Sequence, residues 1–360
     1  MSKHVVFVIH GMGTHVDGWS DPGVKELKDN AKAIGFPQNF SNDFEFVEIN
    51  YDHLFIEYIE AHNKNAKKIE TYMPTSLLGD KTLFRGLFQY AAGSLKNEDF
   101  VVSALGDVYL YRLGDYQESV IAFVLKTITE TLAAKGNPPW SVIAHSLGTR
   151  VIHDALDVFV KSGSNIRTFG KPDALAMISN VVHLLAFKPS DLWKKTQVWP
   201  SDKVTKGACY RYVNALHPAD PFTWIREFDP TPDWGNNAEY KGHYRRPDIQ
   251  FKELTRANSH SFAGYLENPR VAASICWALG SGTTGKPEYD ESRLTSRLAK
   301  YSEKTVGGNA EKVRKKAQKL KQERDLSSFN EFVKALDEFE TFLKKLGSSI
   351  NKQNGAEEHE

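Results

Sequence analysis

Ser146, in "SVIAHSLGTRVIHDAL" (141–156), stands between a run of strand-forming residues and an amphipathic helical pattern, with Ala144 two places before it and Gly148 two places after. Strand, small-x-Ser-x-Gly, helix is the pattern of a nucleophile elbow. The turn is so sharp that larger side chains two residues to either side would collide with neighbouring backbone. A helix beginning at Leu147 would aim its first N–H groups, and its partial positive charge, at the serine. That arrangement stabilises the oxyanion of a tetrahedral intermediate. The other reading of Ser146 is a plain helix cap.

The surrounding elements must position such a serine. "HVVFVIHGMG" (4–13) reads as a buried strand running into a glycine-rich turn, and "FEFVEINYD" (44–52) as a strand with one covered face. "SVIAH" (141–145), "VVHLLAF" (181–187) and "CYRYVNAL" (209–216) are further strand candidates. Residues 53–72 and 115–135 read as helical, the second with Val120, Ile121, Val124, Ile128 and Leu132 on one face. The helix after Ser146 carries Leu147, Val151, Ile152, Ala155, Leu156 and Phe159 on one side. Strands alternating with helices imply an α/β fold, a mostly parallel sheet with helices on both faces.

The elbow and "VIHGMG" together resemble the α/β-hydrolase superfamily, and within it the lipase-like serine esterases, over about residues 4–280. The resemblance implies a second oxyanion donor after the early His-Gly pair. The donors would be the backbone N–H groups of Met12 and Leu147, with His10 shaping the turn. It also implies the order nucleophile, acid, histidine, each on a loop after a strand. "HPADPF" after the strand at 209–216 resembles the acid loop, which makes Asp220 the acid, with His217 a loop histidine. His260, in "NSHSFAGYLENP", precedes an apolar helical pattern where the family keeps its general base. Some members carry the acid one strand earlier, so Asp191 in "FKPSDLW" is the rival. Ala144 replaces the family's usual glycine, and "AFKPSD" stands where many lipases have a Gly-x-Pro turn.

Composition fits that expectation. The 360 residues are 41% hydrophobic and 12% aromatic, enough for a full-sized core. The net charge of +1 gives no global field that would argue for a nucleic-acid partner. Two isolated cysteines, Cys209 and Cys276, make neither a disulfide framework nor a metal site. The N-terminal apolar run Val5–Ile9 is too short for a signal peptide, and no stretch approaches the ~20 apolar residues of a membrane span. A cytoplasmic protein without metal or organic cofactor is the expectation.

The chain divides into a catalytic domain over 1–280, a charged helical extension over 285–347 and a disordered tail over 348–360. "GSGTTGKPEYD" (280–290) links the first two. Residues 73–112 make a candidate cap, with Leu77, Leu78, Leu83, Phe84, Leu87 and Phe88 as acyl-pocket or packing residues. Trp234, Tyr240 and Tyr244, in the loop 229–248, are candidates for substrate contact or surface packing. In the extension, Ser328 and Glu331 read as a capping box, Gly347 as a stop, and Phe329, Phe332, Val333, Leu336, Phe339, Leu343 and Leu346 as an apolar stripe. That stripe would pack back on the domain or pair with a second subunit, and the basic run at 312–324 offers peripheral contact with an anionic surface. The expected activity is cleavage of lipid or other apolar carboxylic esters through an acyl-enzyme. Amidase or thioesterase chemistry on the same residues, and a non-catalytic binding scaffold, are the alternatives.

Overall fold

A computed structural model of the chain describes residues 2–11, 15–54, 57, 111, 115–184, 198–224, 227–230, 234, 238–256, 258–280, 289–302, 309–324 and 329–354. Among them six strands form one parallel sheet, β1 (His4–Ile9), β2 (Phe44–Ile49), β3 (Trp140–His145), β4 (Ala174–Ile178), β5 (Arg211–Ala215) and β6 (Tyr244–Arg245). Their order is β2-β1-β3-β4-β5-β6. Successive strand residues point to opposite faces, and on β1 both faces are covered. Val5, Phe7 and Ile9 join one core cluster and Val6 and Val8 the other. Burial on both sides is why this strand reads as an unbroken apolar run.

Helices α1 (Asp21–Ala33) and α2 (Phe40–Asp43) lie between β1 and β2, and α3 (Asp115–Ala134) precedes β3. Val120, Val124, Ile128 and Leu132 bury the predicted face of α3 against one side of the sheet. They share that core with α4 (Leu147–Lys161), which is followed by the short α5 (Ser164–Phe169). On the opposite side α1 packs with α6 (Phe262–Glu267), α7 (Pro269–Gly280) and α8 (Glu291–Ser302). The α/β class with a parallel sheet between helical layers is thus the observed architecture.

One strand lies elsewhere than expected. Val181 follows the sheet and Val182–Leu184 form a turn, whereas the strand is Ala174–Ile178. "ALAMI" contains one β-branched residue, so its intrinsic strand signal is weak. Pairing to β3 and β5 on both sides makes it a strand. Asn180 then ends it, donating from Nδ2 to Tyr212 and Asn214 while its Oδ1 accepts the Val182 N–H at 3.1 Å.

The extension continues with α9 (Ala310–Glu323) and α10 (Phe329–Asn354). Val313, Ala317 and Leu320 of α9 and Phe339 and Leu343 of α10 share a cluster with Ala219, Trp224 and Leu254. The Trp224 and Phe339 rings meet edge-on at 4.9 Å. The buried part of the α10 stripe is therefore spent within the chain. Arg324 bridges the two helices to Glu331 and Glu338 at 2.9 and 2.8 Å, and Lys316 also pairs with Glu338, so part of the basic run is neutralised locally. Helix α10 runs on past Gly347, the expected stop, to Asn354. Ile350, four residues after Leu346, continues the helical apolar spacing in the sequence. The candidate cap residues Leu77–Phe88, the 281–288 part of the linker, Ser328 and residues 355–360 lie outside the described residues.

Candidate active site

The sheet order reverses at β1, which has β2 on one side and β3 on the other. In open parallel sheets the crevice beyond the carboxyl ends at such a point is the usual ligand site. The register pairs Ile9 with Ala144, so the His-Gly turn and the serine turn leave the sheet side by side. Ser146 has φ 54° and ψ −126°, a region that costs a non-glycine residue about 1–3 kcal/mol. Main-chain contacts hold it there. Its N–H donates to the Ile178 carbonyl at 3.0 Å, and its own carbonyl accepts from the Thr149 N–H and hydroxyl.

Two glycines permit this packing. A Cβ on Gly148 would sit 2.3 Å from the His10 carbonyl oxygen. One on Gly11 would sit 2.5 Å from the Ser146 Cβ. Both are contacts with groups that cannot swing away. Leu147, one of the two expected oxyanion donors, is buried as the first residue of α4. The other, Met12, lies outside the described residues, as does Asp191.

Asp220 follows β5 and caps the short 3-10 helix Pro221–Thr223, its Oδ1 accepting the Phe222 N–H at 3.1 Å. His260 directly precedes Ser261, the N-cap of α6. Forty residues apart in the chain, the two meet, with His260 Nδ1 3.0 and 3.1 Å from the Asp220 carboxylate oxygens. A carboxylate only accepts, so Nδ1 carries the proton and Nε2 is left as an acceptor. Ser146 Oγ lies 2.8 Å from that Nε2 and donates to it. All three residues are almost wholly buried. Burial alone would raise the Asp220 carboxyl, but the charge of His260 and hydrogen bonds from His260, Ser179 and Tyr265 outweigh it and hold it below its ordinary value.

Three neighbours that the sequence reading did not single out complete the arrangement. Ser179 Oγ donates to Asp220 Oδ2 at 2.6 Å and lies 3.0 Å from His260 Nδ1. The Tyr265 hydroxyl donates to the same Oδ2 at 2.8 Å while accepting the His217 N–H at 2.9 Å. His145 donates from Nε2 to the His260 carbonyl at 2.7 Å, which tethers the histidine loop to the residue before the serine. His217 is a loop brace, its Nδ1 accepting the Ala219 N–H. Trp234, Tyr240 and Tyr244 pack with one another, and Trp234 and Tyr244 also with Tyr212.

His10 does what the sequence reading assigns it. Its Nδ1 donates to the Gly11 carbonyl at 2.8 Å, its Nε2 accepts the Tyr51 N–H at 3.1 Å, and its ring is stacked between His15 and Tyr51. The Tyr51 hydroxyl donates to the carbonyls of His10 and Gly11. Asp52 lies within 3.3 Å of His10 Nε2 and 3.1 Å of His15 Nδ1, so three ligand-type atoms come close together. The imidazoles are stacked at 4.1 Å with planes only 24° apart. A metal needs in-plane lone pairs that converge, and these run side by side. The cluster reads as a brace for the His-Gly turn.

Burial leaves these structural histidines neutral. It lowers His10 and His217 to about 4 each, and drives His145 well below the ordinary value. In the unfolded chain they titrate near 6.5, so between 6.5 and 4 the unfolded state binds more protons. Their contribution to stability is complete above about pH 6.5 and is lost as pH falls towards 4. The urea midpoint is expected to be level near neutrality and to fall steeply across that window; a level midpoint down to pH 4 would contradict the assignment.

Comparisons of this chain with protein-family models, with curated proteins and with solved structures gave no match.

Proposed function

We propose that the protein is a serine hydrolase of the α/β-hydrolase type that cleaves carboxylic esters through an acyl-enzyme. The observation that carries this reading is the line from Ser146 Oγ to His260 Nε2 at 2.8 Å and from His260 Nδ1 to Asp220 at 3.0 Å. Its setting adds support. The serine follows β3, the acid follows β5 and the histidine follows β6, the order the superfamily uses.

On this reading Ser146 Oγ attacks the ester carbonyl carbon as His260 Nε2 takes its proton. The Leu147 N–H, at the start of α4, and the Met12 N–H stabilise the oxyanion that forms. Asp220 stabilises the imidazolium without taking its proton. As the intermediate collapses, His260 passes the proton to the leaving alcohol. Water then attacks the acyl-enzyme by the same route in reverse, releasing the acid and restoring Ser146. An apolar acyl group is proposed because 73–112 is rich in leucine and phenylalanine. Amides and thioesters would use the same steps. The short Ser146–His260 contact speaks against a scaffold that only binds.

Labelling with a small fluorophosphonate tests the reading. Wild type is expected to label, and Ser146→Ala and His260→Ala are expected to lose labelling while keeping wild-type circular dichroism. A folded wild type that neither labels nor turns over p-nitrophenyl acetate would sink it.

A further inference from the structure

Ser179 is the first residue past β4 and is fully buried. Its φ of 51° is left-handed, an uncommon state for a residue with a side chain. Main chain anchors it on both sides. The preceding carbonyl, of Ile178, accepts the Ser146 N–H at 3.0 Å, and the Ser179 N–H donates to the Ala215 carbonyl at 2.9 Å. The residue is thereby tied at once to the serine turn after β3 and to the strand that leads into the acid loop. Its side chain is directed at the pair between them, 2.6 Å from Asp220 Oδ2 and 3.0 Å from His260 Nδ1.

A hydroxyl has one proton, and the roles divide accordingly. Asp220 can only accept, so the Ser179 proton goes to it, and the Ser179 oxygen presents its lone pairs to the Nδ1–H of His260. Nδ1–H thus faces three oxygens at 3.0–3.1 Å. The dipole of the hydroxyl has its positive end on the carboxylate and its negative end on the ring that must become positive. Tyr265 differs. It donates to the same Oδ2 at 2.8 Å but is not among the groups bonded to His260 Nδ1.

We propose that Ser179 is a positioning residue for the Ser146–His260–Asp220 reaction, holding Asp220 in line through its proton and stabilising the imidazolium through its oxygen. The inference rests on the hydrolase reading above. It separates Ser179 from Tyr265 in effect. Without the Ser179 hydroxyl the imidazolium loses an acceptor and the carboxylate loses a donor, two changes of opposite sign. Without the Tyr265 proton the carboxylate becomes a stronger partner for it. Among the described residues, the titratable groups facing His260 are Asp220 on the acid loop and His145 at the end of β3, with Tyr265 on α6 behind the carboxylate.

The test is the rate of fluorophosphonate labelling as a function of pH in wild type, Ser179→Ala, Ser179→Gly and Tyr265→Phe. Ser179→Ala is expected to label about tenfold more slowly at neutral pH. The acidic midpoint should move up in Tyr265→Phe, which loses only a donor to the carboxylate, and should lie lower in Ser179→Ala than in Tyr265→Phe, because Ser179→Ala also removes an acceptor from the imidazolium. Glycine accepts the left-handed backbone freely. Ser179→Gly should therefore show the same slowing as Ser179→Ala if the hydroxyl matters, and wild-type rates if only backbone conformation does. A wild-type rate in Ser179→Ala, a midpoint there as high as in Tyr265→Phe, or recovery in Ser179→Gly would overturn the inference and leave the hydrolase reading standing. A folded wild type that does not label would overturn both.

Discussion

Replacing Ser146 with glycine is expected to make the protein more stable and inactive at once. The serine occupies φ 54° and ψ −126°, where its Cβ costs about 1–3 kcal/mol and glycine has no such penalty. Part of that gain is offset, because glycine frees the unfolded chain by about 0.5–1 kcal/mol. The hydrogen bond to His260 Nε2 also goes. The net expectation is a gain of about 1 kcal/mol, read as a higher urea midpoint at unchanged slope. On the proposed hydrolase reading, turnover of p-nitrophenyl acetate should fall by at least ~10⁴-fold, because the atom that would attack is gone. Ser146→Ala should lose the same activity without the gain, since alanine keeps the Cβ. If Ser146→Gly proves less stable than Ser146→Ala, the turn is not a store of strain. The high-energy backbone would then be an incidental feature and not part of how the oxygen is presented.

The reason the serine turn is legible in sequence is that its constraint is local. Ala144, Ser146, Gly148 and the switch from strand to helix pattern all lie within a dozen residues. The sheet is legible for a similar reason, because β1, β3 and β5 each carry residues with strong strand preference, such as Val5, Val6, Val142, Ile143, Tyr212 and Val213. β4 is not, because alanine, leucine and methionine form it only when held between two other strands. That local failure had a consequence at the site. With a strand at 181–187, the residue that follows it towards the crevice is Asp191. With the strand ending at Ile178, it is Ser179. Tyr265 was hidden for a different reason. It reaches Asp220 across 45 residues, and on α6 it reads as one more apolar position. His145 could have been noticed from its place beside the serine, yet its partner is a backbone carbonyl 115 residues on, which no side-chain pattern encodes. The docking of α9 and α10 under the acid loop depends likewise on contacts of Trp224 and Ala219 that are remote in sequence.

Asp220→Asn is expected to damage both activity and stability, more than the loss of one charge would suggest. Four donors converge on this carboxylate: His260 Nδ1–H, the Ser179 and Tyr265 hydroxyls, and the Phe222 N–H. An amide has one accepting oxygen and a donating NH₂, so in either orientation donors face donors. His260 can escape by moving its proton to Nε2 and accepting at Nδ1, but Nε2 then no longer accepts from Ser146. On the proposed hydrolase reading the base would be lost with its geometry intact, and kcat is expected to fall by about 10⁴-fold. The remaining unpaired donors are buried, which costs on the order of 3 kcal/mol. The acid side of the stability profile supplies an independent check. Because the folded carboxyl titrates below the unfolded one, ionised Asp220 contributes stability that is complete above the unfolded value near 4 and disappears as pH falls through the folded one. Wild type should therefore lose more stability than Asp220→Asn below about pH 4, and the two urea midpoints should draw together there. A gap that stays constant with pH would mean that the carboxylate's charge is not what those four donors are arranged to hold.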